Sequence, residues 1–77
     1  MKRVTLLTRP GCHLCAEART VVEAATIETG SPLTELNVDD DPELRAEYGD
    51  MVPVVLLDDV PHGYFHIDPA RLRDALR

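Results

Sequence analysis

Apolar and polar positions change their spacing repeatedly along the chain, and each change marks an expected element. Residues 3–8, RVTLLT, form a short β-branched, apolar run ended by Arg9-Pro10-Gly11, which predicts a buried strand. From Leu14 the period lengthens. Leu14, Ala18, Val21, Val22 and Ala25 recur at helical spacing, with Glu17, Arg19 and Glu23 on the wet side. This helix should fade near Glu28, with Gly30-Ser31-Pro32 as its stop. Residues 33–38, LTELNV, predict a second strand. A short helix should follow, with Asp41 as N-cap, Pro42 at the first helical position, Leu44 and Tyr48 on one face and Gly49 closing it. Val52 to Leu57 predict a third strand, opened by Val52-Pro53, because a first strand residue need not donate to the ladder. Asp58-Asp59-Val60-Pro61 should turn the chain, and His62 to His66 should pair back as a hairpin. Asp68-Pro69 repeats the cap-plus-proline start for a last helix carrying Leu72, Ala75 and Leu76, with Ile67 and Leu72 spaced as a hydrophobic staple.

The expected order is therefore β-α-β-α-β-β-α. The first β-α-β should be a right-handed parallel crossover and the last two strands an antiparallel pair, with helices on both faces of a four-stranded mixed sheet. A chain of 77 residues, 44% hydrophobic and 29% charged, suits one small α/β domain over residues 1–77 with one modest core. The prolines and glycines are scattered as punctuation, with no linker and no repeat.

Charge narrows the function classes. The formal net charge is −6, and residues 35–50 hold seven carboxylates, Glu35, Asp39, Asp40, Asp41, Glu43, Glu47 and Asp50, against Arg45 alone. Such a surface repels phosphate backbones, and three aromatic rings offer little for bases to stack on, so nucleic acid is not an expected partner. The start, MKRVTLL, is too short in apolar residues for a signal core, and no later run approaches a membrane span. No membrane partner and a cytoplasmic, reducing location are expected. There, two cysteines are more often reactive or metal-binding than structural.

Both cysteines lie in Arg9-Pro10-Gly11-Cys12-His13-Leu14-Cys15, between the first strand and the first helix. A helix N-terminus presents unpaired N–H groups and a partial positive charge, which favour a thiolate, and the thiolate is the nucleophile of disulfide exchange. Cys12 is therefore the expected attacker. Cys15, with Leu14 and Ala18 turning its side toward the core, can reach Cys12 but is poorly placed to meet a partner, as a resolving thiol requires. A purely structural bridge over so short a loop would contribute only about 2 kcal/mol, and a reducing cytosol would remove it. A tetrahedral zinc site needs four donors. On a strand, His62 and His66 would stand about 13 Å apart, so at most one of them shares a site with the cysteines. His13, between the sulfurs, is a candidate for tuning the reduction potential. The third strand should run opposite to the first, which sets Val52 and Pro53 at the CxxC pole. Were the Val52-Pro53 bond cis, the Val52 backbone could pair with a bound peptide or thiol, with Arg9 nearby.

Thr8 to Cys15, the helix behind them, Val52-Pro53-Val54-Val55 and the closing Asp68-Pro69-Ala70-Arg71-Leu72 together resemble the bacterial glutaredoxin-like members of the thioredoxin superfamily, over essentially the whole chain. The resemblance implies a minimal thioredoxin fold and thiol–disulfide exchange. It assigns Cys12 as nucleophile, Cys15 as resolving thiol, Pro53 as cis, and Arg9 with Val52-Pro53 to the substrate. Gly11 stands where thioredoxins place tryptophan, which makes it a second tuning candidate. The chain departs from the glutaredoxin pattern in its His13-Leu14 centre. It departs again in Tyr64-Phe65-His66, which stand between Gly63 and Asp68 where a glutathione γ-glutamyl group would sit. No bound cofactor is expected. Glutathione as co-substrate, thioredoxin reductase or another low-molecular-weight thiol are the electron donors implied, and a disulfide-containing protein or small thiol is the partner. A metal or iron–sulfur carrier on the same fold and a redox-inert binding module are the alternatives.

Overall fold

Pro10 and Gly11 cannot extend the first strand, so the chain turns there into its long helix. The computed structural model describes residues 2–77. Its elements are β1 (Val4–Thr8), α1 (His13–Thr29), β2 (Leu33–Asn37), a 3-10 turn (Val38–Asp40), α2 (Pro42–Tyr48), β3 (Val54–Leu57), β4 (Val60–Tyr64) and α3 (Pro69–Leu76). The order β-α-β-α-β-β-α is the one expected. The strands lie as β2-β1-β3-β4, with β1 parallel to β2, antiparallel to β3, and β3 antiparallel to β4.

Alternation along the two central strands sends side chains to both faces. Val4 and Leu6 of β1, with Val55 and Leu57 of β3, meet Ala18, Val22 and Ala25 of α1 and Leu72 and Leu76 of α3. Leu7, Val54 and Leu56 point the other way, onto Val38 and Tyr48 with half-buried Leu44 and Met51. Central strands covered on both sides read as near-continuous apolar runs, which is why β1 and β3 are the clearest strands in the sequence.

The helix ends follow local chemistry. Asp41 Oδ1 accepts from the Glu43 and Leu44 amides at 2.9 and 3.4 Å, and Asp68 Oδ1 accepts from Ala70 and Arg71 at 3.0 and 3.3 Å. Each cap is followed by a proline whose missing N–H costs nothing at that position. Ile67 and Leu72 meet in one core cluster, as the staple predicts. Gly30 ends α1 in the left-handed region, φ 72°, and its amide bonds the Thr26 carbonyl.

Four expectations are corrected. The hairpin turn contains only Asp58 and Asp59, and β4 begins at Val60. Both aspartates have positive φ, 49° and 69°, as a two-residue type I′ turn requires. Arg3 holds them there. Its amide donates to Asp58 Oδ1 at 2.8 Å, and its guanidinium meets Asp59 at 3.0 Å. Early pairing also needs an extra residue, His62, where the register slips from Leu56↔Pro61 to Val55↔Gly63. His66 lies beyond the strand, after Phe65 in the left-handed region at φ 62°, so extended-strand spacing does not apply to the two histidines. Finally, Val52 and Pro53 precede β3 rather than opening it, and Val38 belongs to the 3-10 turn.

Candidate active site

The route into the site is a tight turn. Arg9 O accepts from the Cys12 amide at 3.3 Å, with Pro10 and Gly11 between them and Gly11 at φ +76°. Proline then glycine with positive φ is the signature of a type II turn. A Cβ on Gly11 would meet nothing within 4 Å, so glycine is required there by backbone conformation and not by crowding.

That turn delivers Cys12 as the N-cap of α1. Its Sγ accepts from the Cys15 amide at 3.1 Å, the place a serine or aspartate oxygen takes in most caps. No acidic side chain occupies the first turn of α1, so nothing there offsets the positive helix end. Cys12 is half-buried, whereas Cys15 is only 2% exposed. Burial pushes the Cys15 thiol up to about 11, its contact with Cys12 adds to the rise, and a backbone hydrogen bond at Arg9 and the charge of Arg19 pull the other way. Both thiols are free.

A shallow depression of roughly 430 Å³ opens at the sulfurs, lined by residues 9–13 with Cys15, Ala16 and Arg19. Arg9, Gly11, Cys12, His13 and Cys15 therefore share one depression. Arg9 is partly committed, since its guanidinium meets Asp39 at 3.2 Å and the Gly49 carbonyl at 3.3 Å. His13 is exposed on the first helical turn. Val52 and Pro53 do not line the depression. Continuing the register Leu7↔Val54 sets Pro53 level with Thr8 and Val52 level with Arg9, at the same pole. The Val52-Pro53 bond is cis, Pro53 is fully buried, and its carbonyl accepts from the Phe65 amide at 2.9 Å. Among the described residues the Val52 backbone makes no hydrogen bond.

Arg19 and Glu35 are the residues that sequence reasoning missed. Arg19 lies one turn after Cys15, and Glu35 stands on the α1 side of β2, in register with Leu6. They form a two-point ion pair, Nε to Oε1 at 2.7 Å and the second guanidinium nitrogen to Oε2 at 2.9 Å, and Thr8 Oγ1 donates to Glu35 at 3.4 Å. The available signal was a charged residue inside an otherwise strand-like LTELN run, opposite the one arginine on α1. His62 is remote, in a second depression at the other pole with Lys2 and Asp58, and burial together with the Arg71 and Lys2 charges lowers its pKa. Among the described residues no group of three or more His, Cys, Asp or Glu side chains is placed to hold a metal ion. Among them, too, no helix is long and apolar enough to cross a membrane.

Comparison with known proteins agrees with this architecture. Residues 3–77 match the family described as Glutaredoxin-like domain (DUF836). The chain belongs to that family. It is 41% identical to an uncharacterized protein of Mycobacterium tuberculosis, over 92% of this chain and 78% of the relative. The solution structure of a protein from Nitrosomonas europaea superposes with a TM-score of 0.83 at 24% identity, covering 99% of this chain and 92% of the other. A thioredoxin variant from Halobacterium salinarum superposes with a TM-score of 0.70 at 22% identity, covering 97% and 71%, which shows a shared fold. This glutaredoxin-like chain thus has a thioredoxin-like fold with two closely spaced cysteines.

Proposed function

We propose that the protein is a thiol–disulfide oxidoreductase working through the Cys12–Cys15 dithiol. The observation that carries this reading is the asymmetry of the two sulfurs. Cys12 is accessible and capped by the Cys15 amide, and Cys15 is buried behind it. In the first step the Cys12 thiolate attacks one sulfur of a substrate disulfide, forming a mixed disulfide and expelling the other sulfur as a thiolate. Cys15 then gives its proton to solvent and attacks Cys12 Sγ. The Cys12–Cys15 bond forms, the mixed disulfide breaks, and the second substrate thiolate leaves. Two electrons have passed from the dithiol to the substrate, and an external thiol or reductase restores the dithiol.

Arg9 and the unpaired Val52 backbone orient the substrate in this reading, the latter as a short strand partner for an extended peptide. Gly11 and His13 tune the potential. The cycle suits a reducing compartment such as the cytoplasm, where the dithiol is regenerated. Exposed Tyr64 and Phe65, held beside Pro53, narrow the room for glutathione and leave thioredoxin reductase or another small thiol as equal candidates for the electron donor.

The test is a coupled NADPH assay on a small disulfide, run in parallel with glutathione plus glutathione reductase and with thioredoxin reductase. Activity should disappear in Cys12→Ser, while Cys15→Ser should accumulate a mixed disulfide visible by intact mass. Full turnover by Cys12→Ser would overturn the assignment.

A further inference from the structure

The two-point grip of Glu35 on Arg19 has no evident need in the fold, since both side chains are more than a third exposed and surface ion pairs contribute little to stability. What the grip does is fix a guanidinium at the CxxC depression. Arg19 follows Cys15 by one helical turn, the spacing at which side chains on a helix become neighbours, and it lines the same depression as both sulfurs. We propose that Arg19 is a positioning residue for the second step of the exchange, supporting the Cys15 sulfur as it becomes the attacking anion. This inference rests on the disulfide exchange proposed above.

Cys15 presents a particular difficulty. A buried thiol makes a poor nucleophile because burial disfavours its anion, yet resolution requires that anion. Once Cys12 is bound in a mixed disulfide its negative charge is gone, which removes one opposing influence, but burial remains. Among the described residues, the charges near Cys15 can be named from each neighbouring element. On α1, His13 and Arg19 line the depression, while Glu17 lies in a separate one with Phe65, His66 and Ile67; from the preceding turn comes Arg9, held by Asp39; from β2 comes Glu35, held by Arg19. No residue of β3, β4 or α3 lines the depression. Of these groups, Arg19 is the one whose charge favours the Cys15 anion, beside the larger effect of a backbone hydrogen bond at Arg9. Glu35 keeps the guanidinium from swinging into solvent, and Glu23, a further turn along α1, also attracts it.

The effect must be confined to one half of the cycle. In the first step Cys12 Sγ attacks and Cys15 remains a neutral thiol, so Arg19 has nothing to support. In the second, Cys15 Sγ–H releases its proton to the buffer, the Cys15–Cys12 bond forms and the substrate thiolate departs.

Stopped-flow reaction of the reduced full chain with 2,2′-dithiodipyridine separates the two, because each step releases one equivalent of thiopyridone and the reagent is uncharged. Arg19→Gln should leave the first release within twofold of the parent and slow the second by about threefold to tenfold at pH 7. Its midpoint should move to higher pH, and Arg19→Lys should recover most of the rate. An unchanged second release and pH profile in Arg19→Gln would overturn the inference, as would Lys and Gln variants that behave alike. Failure of the exchange reading itself looks different: the parent protein would then release fewer than two equivalents.

Discussion

Alkylation of the reduced protein offers the sharpest check on the site, because the two sulfurs are predicted to differ for a reason that can be put in numbers. A free cysteine thiol titrates near 8.5, so at pH 7.5 roughly 10% of it is thiolate. Cys15, pushed up to about 11 chiefly by burial, would hold only about 0.03% at that pH. The ionisation deficit is about 300-fold. A more basic thiolate is intrinsically more reactive, and a Brønsted slope of about 0.4–0.5 returns roughly 10- to 20-fold of that loss. The net expectation is that Cys15 reacts with iodoacetamide about 20 times more slowly than an unstructured cysteine peptide. Its 2% exposure slows it further. Peptide mass spectrometry after timed quenching gives the rate at each cysteine, and that of Cys15 should rise about tenfold per pH unit from pH 7 to 9.5. In Cys12→Ser the charge of Cys12 is absent while a hydroxyl keeps its hydrogen-bonding place, so Cys15 should react faster than in the parent while staying below the peptide. A Cys15 rate within threefold of the free peptide at pH 7.5 would refute the assignment of a buried resolving thiol.

Three further outcomes are expected. The reduced protein should lose stability at alkaline pH: a thiol whose folded pKa is raised contributes fully below its unfolded value and is lost as pH climbs from about 9 through 11. The drop is about 3 kcal/mol at most, is absent in Cys15→Ser, and is measured by urea unfolding across that window. Leu72→Ala removes a fully buried side chain between α3, α1 and the sheet and should cost about 2–5 kcal/mol by the same method, a large share of what a chain of this size possesses. Asp41→Ala leaves the Glu43 and Leu44 amides without their side-chain acceptor and should cost about 1 kcal/mol, seen as a lowered Tm in calorimetry.

The hairpin shows where sequence reading lost the thread. Asp58-Asp59-Val60-Pro61 contains four residues that suit turns, and a proline is a poor candidate for strand pairing. In the fold Pro61 pairs all the same, because β4 is an edge strand and the bulge at His62 absorbs the irregularity. The two left-handed aspartates are stabilised by Arg3, 55 residues away for Asp58, and no local pattern announces that contact. Arg19 and Glu35 were missed for a related reason. Each looks like an ordinary solvent-facing charge, and only the placement of β2 beside β1 brings the carboxylate under α1.

What the sequence determined by itself was everything set by short-range sterics and periodicity. This covers the order of elements, the two aspartate–proline helix starts, the glycine-permitted turn into Cys12, and a cysteine sulfur at a helix N-terminus with a second one turn inside. Those features depend on residues within a few positions of one another, and their physics is the same in a peptide as in a protein. The tertiary structure decided how deeply Cys15 is buried, that Val52 shares the CxxC pole without lining the depression, and that Glu35 of β2 holds the Arg19 guanidinium there. Each of these depends on which strand lies beside which, and solvent exclusion and charge proximity exist only once distant segments have closed on one another.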